Sequence, residues 1–105
     1  MEVNPPTPKS QAKAAKVIMR LFRSDYHIIK RSKLFDPVYY LKTYPDVRIA
    51  DVDPLKHFIK IGWKEGRNPS SSFNTSQYLE KYIDVHEAGI NPLVHFILYG
   101  KREGR

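Results

Sequence analysis

The sequence predicts an all-α fold in which a long N-terminal basic helix precedes two tandem helical-hairpin repeats. Three observations predict it. One segment recurs after 38 residues. Asp-Pro and Asn-Pro pairs, at which helices commonly begin, stand at matching places in the two copies. No stretch alternates apolar and polar residues with the period of two that a half-buried strand requires.

The composition excludes several classes of protein. The chain has 105 residues, no cysteine and a net charge of +7. This length suits one small domain and leaves no room for a (β/α)8 barrel. Without cysteine there is no disulfide scaffold, thiol nucleophile or cysteine-ligated metal. Motifs for nucleophilic catalysis and phosphate binding are also lacking. We therefore expect no catalytic residues, no cofactor and no metal site.

Residues 1–9 are predicted to form a disordered leader, because Pro5, Pro6 and Pro8 oppose a helix and favour polyproline II. This leader lacks the apolar core of a secretory signal, and no apolar run in the chain is long enough to cross a membrane as a helix. We therefore expect a cytoplasmic protein, located peripherally at the inner membrane if its basic segment binds lipid.

Residues 10–33 are predicted to form one amphipathic helix that caps the first repeat. Residues 1–34 contain eight Lys or Arg and two acidic residues, whereas the rest of the chain has a net charge of only +1. The basic surface of this helix consists of Lys13, Lys16, Arg20, Arg23, Lys30 and Arg31. Such a surface fits an anionic membrane, or it is simply a solvated helix face. Nucleic acid is not the expected partner, because no base-reading motif is present.

The internal repeat aligns residues 35–67 with residues 73–105 without a gap. Of these 33 aligned positions, 16 are identical. We assign residues 34–71 to the first copy and residues 72–105 to the second copy. Each copy is predicted to form a helix, a short turn, a second helix and an exit loop. Because both copies keep the same apolar positions, they are expected to build one kind of interior.

The helix boundaries follow from local signals. Asp36-Pro37 combines an N-cap with proline at the first helical position, and Asn74 takes the place of that cap in the second copy. The first helix should end before Pro45, whereas Ile83 leaves the corresponding end in the second copy open. Asp53-Pro54 and Asn91-Pro92 should begin the second helices. Their core-facing residues are Leu55, Phe58, Ile59, Leu93, Phe96 and Ile97.

The repeat resembles a known sequence pattern, carried by Phe35-Asp36, Tyr39-Tyr40-Leu41, Tyr44-Pro45-Asp46-Val47, Pro54-Leu55, His57-Phe58, Gly62 and Glu65-Gly66-Arg67-Asn68-Pro69. This pattern is similar to a short repeat appended to many bacterial glycosyltransferases of cell-surface polysaccharide synthesis, including rhamnan-synthesis-like proteins. The resemblance covers residues 34–105 and implies an accessory module without catalytic residues. The second copy departs from the pattern at Asn74, Gln77, Ile83 and Lys101.

His57 and His95 occur once in each copy and invite a metal or acid–base role. No second ligand follows either histidine at helical spacing, so the residues favour a structural role. We expect each ring to be hydrogen-bonded within its own copy, with Asp46 and Asp84 as the suggested partners. The other two histidines, His27 and His86, are expected at the surface.

Each copy closes on the tripeptide Glu-Gly-Arg. The guanidinium groups of Arg67 and Arg105 could hold a carboxylate or phosphate of a ligand. Alternatively, each arginine closes a turn with Glu65 or Glu103, around a glycine with an unusual backbone angle. The second interpretation is favoured, although both arginines remain candidate contact residues. Gly62 and Gly100 are expected to be either helix C-caps or sites of close packing.

Tyr39 and Trp63 are the other candidate contacts with a ligand or partner. Exposed aromatic planes stack on sugar rings, and neither of these residues is repeated in the second copy. The recurring tyrosines at positions 40, 44, 78 and 82 are expected to lie in the core instead.

These observations predict a non-catalytic helical module that binds a protein or a glycan and is associated with a glycosyltransferase of bacterial surface polysaccharide. The alternative is an electrostatic module that binds a membrane surface, or a nucleic acid, through its basic helix. A third interpretation is a piece of an enzyme, a glycosyltransferase, whose active site lies beyond Arg105.

Overall fold

The computed structural model describes residues 24–105, of which 66% are helical. Within this range there is no strand, and an isolated bridge joins Ser70 to Phe73. The all-α prediction is therefore confirmed for residues 24–105. The predicted leader and the first part of the predicted basic helix, with Lys13, Lys16, Arg20 and Arg23, lie outside the described residues.

The first described helix, α1, spans Asp25–Ser32. Ser24 is extended, with φ −72° and ψ 150°, and its side chain accepts a hydrogen bond from the backbone N–H of His27. An extended residue whose side chain caps the next turn begins a helix. The predicted helix over residues 10–33 is therefore wrong in running through Ser24, because a helix begins there.

Each copy contains three short helices instead of the two that a hairpin requires. In the first copy they are α2 (Pro37–Thr43), α3 (Pro45–Ala50) and α4 (Pro54–Lys60), followed by a 3₁₀ turn at Gly62–Glu65. In the second copy they are α5 (Thr75–Lys81), α6 (Ile83–Ala88) and α7 (Pro92–His95), which continues into a π-helical turn at Phe96–Gly100.

The predicted helix starts are confirmed by the side chains that cap them. Asp36 and Asn74 accept hydrogen bonds from the backbone N–H groups three residues later, at 3.0 and 2.9 Å. Asp53 and Asn91 do the same for the helices that begin at Pro54 and Pro92. Each cap satisfies N–H groups that have no partner within the helix.

The chain bends at the same place in both copies, whether or not a proline follows. Tyr44 has φ −122° and ψ 80°, and Tyr82 has φ −116° and ψ 79°. The next residue is Pro45 in one copy and Ile83 in the other, and each begins a helix. The tyrosine conformation, and not the proline alone, therefore marks the break between the first two helices.

The core is divided unevenly between the copies. The larger cluster combines buried side chains from both copies with two from α1. Its buried members are Ile28, Ile29, Tyr40, Val47, Leu55, Phe58, Leu93 and Val94. A smaller cluster contains Tyr78, Val85 and Ile90. The sequence predicted that this helix would cap the first copy. Instead, α1 contacts α4 of the first copy and α7 of the second, so it joins the two copies.

Candidate functional site

A tyrosine and a histidine form a hydrogen-bonded pair inside each copy. The Tyr40 hydroxyl lies 2.8 Å from Nδ1 of His57, and the Tyr78 hydroxyl lies 2.9 Å from Nδ1 of His95. Tyr40 comes from α2 and His57 from α4, so the bond ties two helices together. The suggested histidine partners, Asp46 and Asp84, are wrong, because both carboxylates are bonded to arginines instead.

A glycine faces each tyrosine hydroxyl. A Cβ atom at Gly62 would overlap the Tyr40 hydroxyl, and one at Gly100 would lie 2.5 Å from the Tyr78 hydroxyl. These glycines therefore serve close packing, which was one of the two predicted roles. Each one leaves the space that its tyrosine–histidine pair occupies.

The guanidinium group of Arg67 is bound on two of its edges. Its two Nη atoms donate to the two carboxylate oxygens of Asp46 at 2.9 and 2.8 Å, and Nε lies 3.0 Å from Glu65. The group also stacks on the ring of Tyr44, 4.8 Å from its centre. A planar fork matched to one carboxylate is the strong form of this ion pair.

Arg105 repeats this arrangement with longer distances. Its Nη1 atom lies 3.3 and 3.1 Å from the carboxylate oxygens of Asp84, and Nε lies 3.1 Å from Glu103. The guanidinium carbon is 4.7 Å from the centre of the Tyr82 ring. The preceding glycine has a φ of +76°, and Gly66 in the first copy has a φ of +79°. The interpretation of Glu-Gly-Arg as a closed turn with an unusual backbone angle is therefore confirmed.

Burial disfavours the charged forms of the two tyrosine hydroxyls and of the His95 ring. Burial raises the pKa of Tyr78 to about 12 and raises that of Tyr40 further. Burial, assisted by the charge of Arg105, lowers the pKa of His95 below its ordinary value. In the second copy, the raised pKa makes the Tyr78 phenol a weaker acid and the lowered pKa makes the His95 imidazole a weaker base.

The aromatic candidates lie at the edge of the interior. Tyr39 is half-buried on α2, and Trp63 is half-buried and packs against the larger core cluster. Lys64 lies over the Trp63 ring, with Nζ 5.9 Å from its centre. No stacked or edge-to-face contact joins Tyr39 to Trp63 in residues 24–105. Tyr39 and Trp63 therefore remain two separate candidates, each of them partly accessible to a partner.

The remaining predicted positions are exposed. Lys30 and Arg31 lie on the exposed side of α1, and His27 and His86 are exposed as predicted. Nowhere in the described range do three or more His, Asp or Glu residues gather in a way that could hold a metal ion. Within the same range, no helix has the length and apolar character that crossing a membrane requires.

Sequence reasoning missed the tyrosine–histidine pairs and the aspartate–arginine pairs. Their partners are 17 and 21 residues apart in the chain, on different helices. The signal that could have found them is their recurrence. The tyrosine, histidine, aspartate and arginine are identical in both copies. Residues that interact with each other are expected to recur together in this way.

An open groove runs along the second copy. Its volume is about 590 Å³. The walls come from α5, the residues just before it, the second half of the copy and Leu34. The lining residues are Leu34, Ser70, Ser72, Phe73, Asn74, Gln77, Tyr78, Lys81, Tyr82, Leu93, Phe96 and Arg105.

Large apolar side chains are exposed mainly on the first copy. Val38 is 70% exposed and Ile49 is 75% exposed. The matching residues of the second copy are polar, with Ser76 in place of Val38 and Glu87 in place of Ile49. The two copies therefore share an interior but present different surfaces.

No protein-family model, curated protein or solved structure matches this chain.

Proposed function

We propose that this chain is a non-catalytic binding module built from two tandem copies of one helical repeat. The identical polar residues support this proposal, because they serve internal contacts. Tyr40 and His57 bind each other, and the fork of Arg67 is filled by Asp46. Side chains committed in this way hold helices together and are not free to bind or transform a substrate.

The observation that carries a binding role is the exposed apolar surface of the first copy. Val38 and Ile49 are largely exposed on α2 and α3, whereas Ser76 and Glu87 stand at the same places in the second copy. Exposed apolar side chains that are polar in an otherwise similar copy are not needed for folding. Contacts of this kind stabilise a complex when a protein partner buries them.

The proposed partner is a glycosyltransferase of bacterial surface polysaccharide synthesis. This part of the proposal rests on the sequence resemblance over residues 34–105. A direct glycan contact would use the half-buried faces of Tyr39 and Trp63, since aromatic faces stack on sugar rings. The proposed location is the cytoplasm, where the enzymes that extend such polymers would be neighbours of this module.

The test replaces two exposed apolar residues of the first copy with the polar residues that the second copy has at the same positions. We expect the double variant Val38→Ser, Ile49→Glu to bind the purified glycosyltransferase of the same organism at least about tenfold more weakly, because it loses apolar area on binding. The matched control is Ser76→Ala, Glu87→Ala in the second copy, for which no loss is expected. Calorimetric titration gives both affinities, and thermal unfolding verifies that the variants are folded.

Two results would contradict this function. Equal affinity of the wild type and the first-copy variant would remove the proposed surface. Turnover of a nucleotide-sugar donor by the purified chain would overturn the non-catalytic assignment. Amide shifts at Tyr39 and Trp63 on titration with surface-polysaccharide fragments would instead identify the glycan as the partner.

A second candidate function is electrostatic binding to an anionic membrane surface. Lys30, Arg31 and Lys33 are exposed on and just after α1. The apolar side of α1 is already buried in the core through Ile28 and Ile29, so this helix cannot insert into lipid. Binding should therefore depend on charge alone and should disappear as salt is raised from about 0.1 to 1 M, where the Debye length falls from about 10 to 3 Å. Co-sedimentation with phosphatidylglycerol vesicles measures this, and the variant Lys30→Ala, Arg31→Ala should bind less.

A further inference from the structure

A pocket of about 400 Å³ lies between α1 and the starts of α2 and α4. On one side it is lined by Tyr26, Ile29 and Lys30 of α1, and by Lys33, which directly follows that helix. The facing side is apolar apart from one carboxylate. It consists of Phe35, Pro37, Asp53, Pro54 and Leu55.

The carboxylate of Asp53 is already bound within the protein. One of its oxygens accepts from the backbone N–H groups of Leu55 and Lys56, at 2.9 and 3.1 Å. The other oxygen accepts from the hydroxyl of Tyr26 at 3.3 Å. Asp53 therefore ties α1 to the start of α4, and both of its oxygens are engaged.

Lysines lie on both sides of the pocket. The Nζ atoms of Lys30 on α1 and Lys56 on α4 lie 5.4 and 6.0 Å from the centre of the Tyr26 ring. Lys33 lines the pocket on the α1 side. All three lysines are exposed, and none of them forms an ion pair with another residue in the described part of the chain. Because these lysines outnumber the one carboxylate of Asp53, the pocket and its edge are positively charged.

Lys33 has a backbone conformation that favours glycine. Its φ of 60° and ψ of 22° are left-handed, and glycine commonly ends a helix in this way. A residue with a Cβ atom is strained in this conformation. The fold therefore does not call for a lysine here, whereas a negatively charged ligand in the pocket would make use of one.

We propose that this pocket binds an acidic segment of another polypeptide, in which Asp or Glu residues flank one large apolar side chain. The apolar side chain packs against Phe35, Pro54 and Leu55, and the flanking carboxylates face the ammonium groups on the α1 side and on the α4 side. A ligand that is charged at one end only, such as a fatty acid, would leave one of these sides unmatched. Burial of the apolar group supplies affinity, and the matched charges supply specificity.

This inference does not depend on the proposed function. Val38 and Ile49, which carry the proposed function, do not line the pocket, so substituting them tests a different surface. An acidic segment can bind here whether or not the module has a glycosyltransferase partner. Failure of either contact would leave the other measurable.

The experiment titrates the isotopically labelled full chain with the peptide acetyl-Asp-Glu-Phe-Glu-Asp-amide. Amide shifts are expected to centre on Lys30, Lys33 and Leu55. A peptide with alanine in place of phenylalanine should bind at least about tenfold more weakly, because it loses the apolar contact. A peptide with Lys and Arg in place of the acidic residues should not bind.

Three results of this titration would overturn the proposal. The first is an acidic peptide that does not bind or that shifts amides elsewhere. The second is equal binding of the basic peptide. The third is equal affinity for the phenylalanine and alanine peptides, which would mean that charge alone attracts the ligand, as it does at an anionic membrane surface.

Two glycine variants separate binding from folding. Lys33→Gly should raise the temperature of thermal unfolding, because glycine adopts a φ of 60° without strain, and should weaken peptide binding about two- to fivefold, because one cation is lost. Asp51→Gly is the matched control, since Asp51 has a φ of 56° and does not line the pocket. It should also raise the unfolding temperature, without weakening the peptide complex. Unchanged affinity in Lys33→Gly would contradict the proposal.

Two adjacent cations of α1 test whether the contact is directed. Lys30→Gln should weaken peptide binding about two- to fivefold, because Lys30 lines the pocket. Arg31→Gln should leave the affinity unchanged, because Arg31 is exposed but does not line it. Equal losses in the two variants would indicate a diffuse basic surface and would overturn the proposed site.

Discussion

The absence of a side chain at one glycine in each copy makes room for the tyrosine–histidine pair. Gly62 and Gly100 leave room for the hydroxyls of Tyr40 and Tyr78, which bind the histidines of α4 and α7. These contacts join positions that are distant in the chain. The sequence showed that the residues recur, but recurrence alone does not say which side chain meets which. The caps at Asp53 and Asn91 could be predicted, because each acts within three residues.

The first residue-scale prediction concerns Gly62. The variant Gly62→Ala should lower the free energy of unfolding by about 1–3 kcal/mol, because its Cβ overlaps the Tyr40 hydroxyl. The same substitution should cost less in a Tyr40→Phe background, where that hydroxyl is gone. Urea denaturation of the four proteins measures this coupling. Gly104→Ala is the control, because a Cβ there meets no atom within 4 Å and its cost comes from φ +76° alone. Equal costs of Gly62→Ala in both backgrounds would contradict the overlap.

The second residue-scale prediction concerns pH. The pKa of His95 is lowered in the folded protein by burial and then by Arg105, from an ordinary value of 6.5. The unfolded chain therefore binds this proton more readily. Its contribution to stability is present above pH 6.5 and is lost as the pH falls below that value toward the folded pKa. Thermal unfolding at pH 7.5 and 5 should show the loss, and His95→Gln should reduce it. Exposed His86→Gln is the control, and a pH dependence unchanged by His95→Gln would contradict this account.

At the scale of elements, local signals predicted where helices begin better than how many there are. The cap residues Asp36, Asp53, Asn74 and Asn91 all begin helices as expected. The middle helices α3 and α6 were not predicted as full elements, because each has only six residues and buries a single valine. Pro45 predicted the bend before α3, whereas no local signal predicted the same bend before α6, where Ile83 stands.

The element-scale prediction exchanges the residues after the bend. Ile83 begins α6, is exposed, and its backbone N–H has no backbone partner within residues 24–105. Proline fits such a position, so Ile83→Pro should raise the free energy of unfolding by about 0.4–1 kcal/mol through the unfolded chain. The reciprocal variant Pro45→Ile should lower it by a similar amount. Urea denaturation measures both, and a loss of stability in Ile83→Pro would show that the isoleucine has a role in the fold.

At the scale of the whole molecule, the two copies share most of one core. Leu93 and Val94 of the second copy belong to the cluster that contains Leu55 and Phe58 of the first, and α1 contributes Ile29 to it. The sequence predicted that α1 would cover an apolar surface. It could not show that this surface belongs to both copies, because the placement of one copy on the other is a tertiary property.

The whole-molecule prediction concerns Ile29, which is fully buried. Ile29→Ala should lower the free energy of unfolding by about 2–4 kcal/mol, through lost burial and the cavity that remains. The fluorescence of Trp63 reports on the first copy, and amide exchange in α6 reports on the second. Both signals should shift together, because the helix packs on both copies. Exposed Arg31→Ala is the control, and a shift confined to Trp63 would contradict a shared core.

The larger core cluster contains residues from both copies, so cleaving the chain between the copies would divide this core. A break in the peptide bond between Ser71 and Ser72 would leave Leu93 and Val94 on one fragment and their packing partners Phe58 and Ile29 on the other. Neither fragment would then hold a complete interior, so each alone should be largely unstructured, and mixing the two should restore structure. The two copies depend on each other in this way, so we expect a folded product only when α1 and both copies are expressed together.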